Sequence, residues 1–163
     1  MQTSPNLILV DDHLLFRESL KSVITSQNIG CVIGEASNGI EFLKLLSQLK
    51  PDLVIMDIEM PGMSGIEATQ KAKEMFPQLK LIAYTMYCEE EYFNKMIALG
   101  VQGFIIKSSG INMLEEAIHE VMMGNKYFCT MFHEKISGDF KNLTADKTDE
   151  GIPQSEQTEY FIC

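Results

Sequence analysis

The chain has 163 residues, 45% of them hydrophobic, and this length suits one core of ordinary domain size. Its formal charge of -10 repels polyphosphate and anionic membranes, which disfavours nucleic-acid binding by this stretch. The four cysteines form no CxxC pair, and the sequence has neither a signal-peptide core nor a membrane-length apolar run, so we expect a reduced, cytoplasmic protein that contacts no membrane.

Five short apolar runs are predicted to be strands. They are NLILV at 6–10, CVIGEA at 31–36, LVIM at 53–56, KLIAY at 80–84 and GFII at 103–106. Between these runs, and after the last one, apolar residues recur three or four positions apart, which is typical of amphipathic helices. The final helix is predicted to end near Gly124. The sequence therefore predicts five alternating strands and helices.

Polar side chains stand where the predicted strands end. Alternating strands and helices need crossover connections, so we expect a parallel, doubly wound α/β sheet with helices on both faces. Ligands of such sheets bind at the carboxyl ends of the strands. The residues expected to meet at that edge are Asp11 and Asp12 after the first strand, Asp57 after the third, Thr85 after the fourth and Lys107 after the fifth.

Three carboxylates at neighbouring strand ends would repel one another unless a cation lay between them. Mg²⁺ suits such a site, because it takes oxygen ligands and commonly uses one or two carboxylates, here Asp12 and Asp57. Lys107 would neutralise further negative charge, and Thr85 would offer a hydroxyl. A phosphoryl group held there would be open to attack by the carboxylate of Asp57, which would give an aspartyl phosphate.

Four motifs together resemble a known family. LVDDH, LVIMDIEMPGMSGIEAT, IAYTM and GFIIKSS, in this order and spacing, look like the receiver domain of two-component response regulators. The DDH, MPGMSGIEAT and ALGVQGFIIKSS stretches resemble the NarL/LuxR type. The likeness covers residues 6 to about 124. It implies a flavodoxin-like, five-stranded parallel sheet in the order 2-1-3-4-5.

The resemblance also implies roles for individual residues. A sensor histidine kinase would donate the phosphoryl group to Asp57, and two copies of the chain would pair on phosphorylation. The domain would then be no enzyme beyond assisting its own phosphorylation and dephosphorylation. The other implied roles are Mg²⁺ binding by Asp11, Asp12 and the backbone carbonyl of Glu59, phosphoryl contact by Thr85 and Lys107, and a rotamer change of Phe104 together with Thr85.

Each residue also has an ordinary structural interpretation. Asp11 and Asp12 would suit a helix N-cap, and Asp57, Thr85 and Lys107 would suit unremarkable strand ends. Core packing explains Phe104 as well as a switch role does. His13 is left out of the predicted site, because a lone loop histidine is usually solvated and Mg²⁺ prefers oxygen.

Other functional classes share parts of this pattern. A flavodoxin-like cofactor carrier needs backbone amides and hydroxyls after strand one, whereas this chain has two carboxylates there. A Mg²⁺-dependent phosphohydrolase of the haloacid-dehalogenase type carries its nucleophile after strand one, whereas Asp57 follows strand three. A stand-alone receiver that acts only by protein–protein docking stays an alternative.

The last part of the chain differs from the rest. Residues 1–124 are predicted to form the receiver domain, and residues 125–163 a polar linker or tail. From residue 131 on, three lysines face seven acids, which is unfavourable for contact with a phosphate backbone. NarL/LuxR-type regulators continue into a helix-turn-helix domain that binds DNA and controls transcription. The closing SEQTEYFIC resembles the first turns of that domain, so we expect a truncated chain; a natural single-domain regulator is the alternative.

Overall fold

A computed structural model describes residues 4–129 and the backbone of residues 160–162. The strands are β1 Asn6–Val10, β2 Cys31–Ala36, β3 Leu53–Met56, β4 Lys80–Thr85, β5 Gly103–Ile106, β6 Lys126–Phe128 and β7 Tyr160–Ile162. The helices are α1 Leu14–Ser26, α2 Gly39–Leu46, α3 Gly65–Met75, α4 Glu90–Ala98 and α5 Ile111–Met122. A single 3-10 turn, Lys107–Ser109, joins β5 to α5.

The strands form one parallel sheet. Residues 4–129 contribute six strands in the order β2-β1-β3-β4-β5-β6, and the backbone of β7 pairs with β6. The predicted α/β class and the order of the first five strands are confirmed. The predicted number of five strands is wrong, because β6 extends the sheet beyond β5.

The sixth strand is too short to show a periodic pattern in the sequence. Its three residues pair with β5 through Gly103 opposite Tyr127 and Phe104 opposite Phe128. Tyr127 and Phe128 are buried, so the edge gains core contacts as well as backbone hydrogen bonds. The sheet thus continues past the predicted domain boundary at residue 124. The predictions for residues 130–159 lie outside the described part of the chain.

Alternate residues of β1, β3, β4, β5 and β6 face opposite cores. One core contains Ile8, Val10 and Val54 and packs against α2, α3 and α4. The other contains Leu7 and Leu9 and packs against α1 and α5. Buried apolar side chains on both faces explain why the strands are near-continuous apolar runs. None of the helices in the described residues is long and apolar enough to cross a membrane.

The connection from β3 to α3 brings a helix start against the end of β3. Ser64 caps α3 in a reciprocal capping box, in which its side chain accepts from the backbone N–H of Glu67 and the Glu67 carboxylate accepts from the Ser64 N–H. Gly65 N–H donates to the Ile58 carbonyl at 2.8 Å. A Cβ at Gly65 would lie 1.9 Å from the carbonyl oxygen of Asp57, so only glycine permits this approach.

We expect Gly65→Ala to lower the free energy of unfolding by about 1–3 kcal/mol, the usual cost of overpacking, since backbone has to move. Urea denaturation followed by circular dichroism measures the change. Gly34→Ala is the matched control, because its Cβ would meet only side-chain atoms, the nearest being Leu49 Cδ1 at 3.0 Å. Equal stability loss in the two variants would contradict the close-approach explanation.

Candidate functional site

Three charged side chains meet at the carboxyl edge of the sheet. Asp11 follows β1, Asp57 follows the adjacent β3, and Lys107 follows β5. The Lys107 ammonium donates to Asp11 Oδ2 at 2.6 Å and to Asp57 Oδ2 at 2.8 Å. The other oxygen of Asp57, Oδ1, accepts from the Ile58 N–H at 2.8 Å. The structure therefore brings together these three residues predicted from the strand ends.

The three residues are largely withdrawn from solvent. Asp11, Asp57 and Lys107 are 5%, 4% and 8% exposed, which is rare for charged residues unless they are paired. Burial raises the pKa of Asp57, and its hydrogen bond and attraction to Lys107 only partly offset that rise. One cation faces two carboxylates, so the cluster keeps an excess of negative charge that would favour a further cation.

The aromatic ring of Phe16 packs against the Lys107 ammonium. The Lys107 Nζ lies 4.4 Å from the centroid of the Phe16 ring, within cation–π range. The ring of Phe16 in turn lies 5.9 Å from that of Tyr84 in β4. In the sequence Phe16 is only one of the apolar residues of α1. Its contact with Lys107 depends on how α1 packs against the sheet, and no local sequence pattern predicts that contact.

Asp12 completes a group of ligands suited to a hard cation. Oxygens of Asp11, Asp12 and Asp57 and a ring nitrogen of His13 all lie within 4.8 Å of one another. The Oδ1 atom of Asp12 is buried and accepts no hydrogen bond within the described structure, although His13 Nδ1 is 3.2 Å away. A carboxylate oxygen in that condition is costly, and a bound Mg²⁺ would satisfy it. These residues therefore fit the predicted ion.

The N-cap interpretation of the acidic pair is wrong. The residue at the N-cap of α1 is His13, and its side chain makes no capping hydrogen bond. Asp11 Oδ1 instead accepts from the His13 N–H at 2.9 Å, which fixes the carboxylate at the strand end. His13 itself is exposed, and its imidazole stays outside the predicted ligand set.

Thr85 and Phe104 lie on neighbouring strands beside the charged cluster. Thr85 is fully buried at the end of β4, where its hydroxyl accepts from the Tyr87 N–H at 3.3 Å. Phe104 is also fully buried, opposite Ala83, and its ring meets Phe93 of α4 edge-on at 5.3 Å. Both positions agree with core packing, and the switch roles of these two residues stay predictions.

Glu59 makes a contact that the sequence does not indicate. Its exposed carboxylate accepts a hydrogen bond from the phenol of Tyr92 in α4. This bond raises the pKa of Tyr92 to about 12. The negative charge of Glu59 raises the pKa of Tyr87 as well, with a smaller effect from Asp57. Tyr87 and Tyr92 therefore both lie close to the Glu59 carboxylate. The predicted role of the Glu59 backbone carbonyl in metal binding stays a prediction.

The sequence of this chain matches a known protein family and several known proteins. Residues 7–119 match the family model described as "Response regulator receiver domain". The response regulator GacA of Pseudomonas viridiflava is 34% identical over 132 residues, covering 80% of this chain and 61% of that protein. The oxygen regulatory protein NreC of Staphylococcus carnosus is 32% identical over 139 residues, covering 85% of this chain and 64% of that protein.

Solved structures agree with these relatives. A LuxR-family two-component response regulator from Aurantimonas sp. SI85-9A1 has a TM-score of 0.77 and 27% identity, over 85% of this chain and 99% of that one. A LuxR-family DNA-binding response regulator from Staphylococcus aureus has a TM-score of 0.69 and 29% identity, over 72% and 98%.

An α/β sheet with a lysine shared by two strand-end aspartates defines a receiver-type protein. The chain belongs to the response regulator receiver domain family, in its LuxR/NarL branch, as the sequence motifs indicated. It spans about 61% of the length of the first curated relatives that it matches.

The burial of Asp57, which raises its pKa, makes a testable contribution to stability. Because the pKa of Asp57 is raised in the folded chain, that chain binds more protons than the unfolded one between the two pKa values, and stability falls as pH rises through that window. We expect Asp57→Asn, measured without divalent ions, to raise the free energy of unfolding at neutral pH. The gain should disappear in acid, below the ordinary aspartate range.

A substitution that removes the cation instead of a carboxylate provides the control. Lys107→Met removes the cation and leaves two buried carboxylates unpaired, so we expect it to lower the free energy of unfolding by about 3–5 kcal/mol. Urea denaturation across a pH series measures both variants. A neutral-pH loss of stability in Asp57→Asn would show that this carboxylate is not under electrostatic strain.

Proposed function

We propose that Asp57 accepts a phosphoryl group from a sensor histidine kinase and that the domain switches state as a result. The observation that carries this proposal is the buried Lys107 ammonium shared by the carboxylates of Asp11 and Asp57. It places a cation where negative charge would develop during phosphoryl transfer. Membership of the receiver family supports the same reaction.

The proposed transfer uses the arrangement at the strand ends. A carboxylate oxygen of Asp57 attacks phosphorus, and the bond from phosphorus to the donor nitrogen breaks, with its electron pair passing to the donor. Lys107 is already bonded to Oδ2 of Asp57, so its ammonium can follow the charge onto the phosphoryl oxygens. The hydroxyl of Thr85, which accepts from the Tyr87 N–H, would donate its proton in a hydrogen bond to a phosphoryl oxygen. The domain would act on no substrate besides its own phosphoryl group.

Asp12 and Asp57 would hold Mg²⁺ directly, and Asp11 would act through water. The Oδ1 atom of Asp12 has no hydrogen bond within the described residues, which supports direct ligation by Asp12. Both oxygens of Asp11 and both oxygens of Asp57 accept hydrogen bonds, so the choice of Asp57 as the second direct ligand depends on the phosphoryl group that it would carry. When bound, the ion would neutralise charge between the carboxylates and the phosphoryl oxygens. The backbone carbonyl of Glu59 is the further ligand that the family resemblance implies.

We propose that the whole protein is a cytoplasmic transcription regulator. Two relatives support this: the transcriptional regulatory protein DegU of Brevibacillus brevis and the DNA-binding response regulator of the LuxR family from S. aureus. DNA would be bound through a helix-turn-helix domain, and not through the acidic receiver domain. Pairing of two copies on phosphorylation would then place two such domains on adjacent half-sites.

Phosphorylation is tested by incubation with acetyl phosphate and Mg²⁺, followed by intact-mass spectrometry. We expect the wild-type chain to gain one phosphoryl group and Asp57→Asn to gain none, because the nucleophilic carboxylate is lost. Asp52→Asn is the matched control, as it changes an exposed aspartate near the opposite ends of the strands. A stable phosphoryl adduct on Asp57→Asn would show that Asp57 is not the phosphoryl acceptor.

Metal binding gives a second test. We expect Asp12→Ala to weaken Mg²⁺ binding by at least about tenfold, the loss that even an outer-shell partner causes. Isothermal titration calorimetry measures the affinity, with Asp52→Ala as the control for the loss of one negative charge. Unaltered affinity in Asp12→Ala would show that its buried oxygen is no ligand.

A further inference from the structure

The hydrogen bond between Glu59 and Tyr92 joins two elements beside the acceptor. Glu59 lies in the β3–α3 connection, two residues after Asp57, and Tyr92 lies in the first turns of α4. The two residues are 33 positions apart in the sequence. The Asp57 end of this connection is fixed, since Asp57 Oδ1 accepts from the Ile58 N–H at 2.8 Å. The orientation of the Glu59 carboxylate, in contrast, depends on the phenols of Tyr92 in α4 and of Tyr87 before it.

Aromatic packing holds the Tyr92 side chain in place. Its half-buried ring packs against the core on the α4 side of the sheet, which leaves the phenol at the surface. The ring of Tyr87 meets it edge-on, with the centroids 6.5 Å apart and the planes at 83°. Tyr87 is 44% exposed and follows Thr85 by two residues. The phenol of Tyr92 is therefore a pre-oriented donor to the Glu59 carboxylate, two residues after the proposed acceptor.

We propose that Tyr92 is a positioning residue that turns the Glu59 carboxylate towards α4 and so prolongs the life of phosphorylated Asp57. This inference depends on the proposed function of Asp57. In hydrolysis the oxygen of a water molecule attacks phosphorus, the bond between phosphorus and the Asp57 oxygen breaks, and the electron pair returns to that carboxylate. A carboxylate at hand to take the proton of that water speeds the step. Of the carboxylates near Asp57, Asp11 is held by Lys107 and the His13 N–H, and Asp12 would be held by the proposed ion. Glu59, two residues from Asp57, is exposed and is held by the phenol of Tyr92, beside that of Tyr87.

The central experiment is a double-mutant cycle on the dephosphorylation rate. Wild type, Tyr92→Phe, Glu59→Gln and the double variant are labelled with acetyl phosphate and Mg²⁺, freed of the donor, and followed by intact-mass spectrometry. We expect Tyr92→Phe to hydrolyse roughly tenfold faster than wild type, a part of the roughly 10²–10⁴-fold that a positioned base contributes. In the Glu59→Gln background the same tyrosine change should have no effect, because no carboxylate is left to be freed.

Tyr127→Phe is the matched control. It removes another tyrosine–glutamate hydrogen bond, from Tyr127 to Glu116 at 2.7 Å, on the face of the sheet covered by α5. Its dephosphorylation rate should equal that of wild type. A wild-type rate in Tyr92→Phe, or a full acceleration that persists in the Glu59→Gln background, would overturn the proposal.

A second measurement examines the contact without phosphorylation. In NMR spectra of the chain labelled with ¹³C at tyrosine Cζ, the resonance lost in Tyr92→Phe should shift in Glu59→Gln, while that of Tyr127 stays in place. An unmoved Tyr92 resonance would refute the contact in solution. If the wild-type chain takes up no phosphoryl group at all, the proposed function of Asp57 fails and the lifetime proposal fails with it, whereas the NMR result still reports on the contact alone.

Discussion

The buried ammonium of Lys107 between the carboxylates of Asp11 and Asp57 is the interaction on which the site depends. Each of the three residues follows a different strand, so the sheet order decides that they meet. The lysine is separated from Asp57 by 50 positions and from Asp11 by 96. The parallel sheet, in which the carboxyl ends of the strands share one edge, brings these distant residues within hydrogen-bonding distance.

Residues from two helices pack around this cluster. Phe16 supports the ammonium from α1, and Gly65 lets α3 approach the carbonyl of Asp57 without a clash. Burial of the Asp57 carboxylate has a cost in stability, which is common where chemistry needs an ionised group in a partly dry environment. A bound cation would relieve that cost.

Much of the fold and of the charged cluster was predictable, because both leave local signals. Apolar runs ending in Asp57 and Lys107 mark strands and strand ends, and the parallel alternation brings those ends together. β6 was missed because three residues are too few to show a period, although its buried Tyr127 and Phe128 belong to the core. Its existence depends on pairing with β5 and not on local propensity.

The contacts around the cluster were not predictable, for a different reason. The support of Lys107 by Phe16 and the hydrogen bond from Tyr92 to Glu59 join residues far apart in sequence. Both contacts depend on the exact positions at which α1 and α4 pack against the sheet. In the sequence, Phe16 marks only a helix face and Tyr92 precedes an apolar residue of α4. The N-cap alternative for Asp11 and Asp12 was already the weaker interpretation, because Asp57, Thr85 and Lys107 occur together with them, and the backbone excludes it by placing His13 at the cap.

A crystal structure with Mg²⁺ and beryllofluoride, a mimic of the phosphoryl group, would show whether Asp57 and Lys107 act as proposed. We expect a tetrahedral adduct on a carboxylate oxygen of Asp57. We also expect the Lys107 ammonium to contact a fluorine of the mimic and Asp12 to ligate the ion. Beryllofluoride bound elsewhere, or a Lys107 that still bridges Asp11 and Asp57 beside an adduct it does not touch, would contradict the proposed roles.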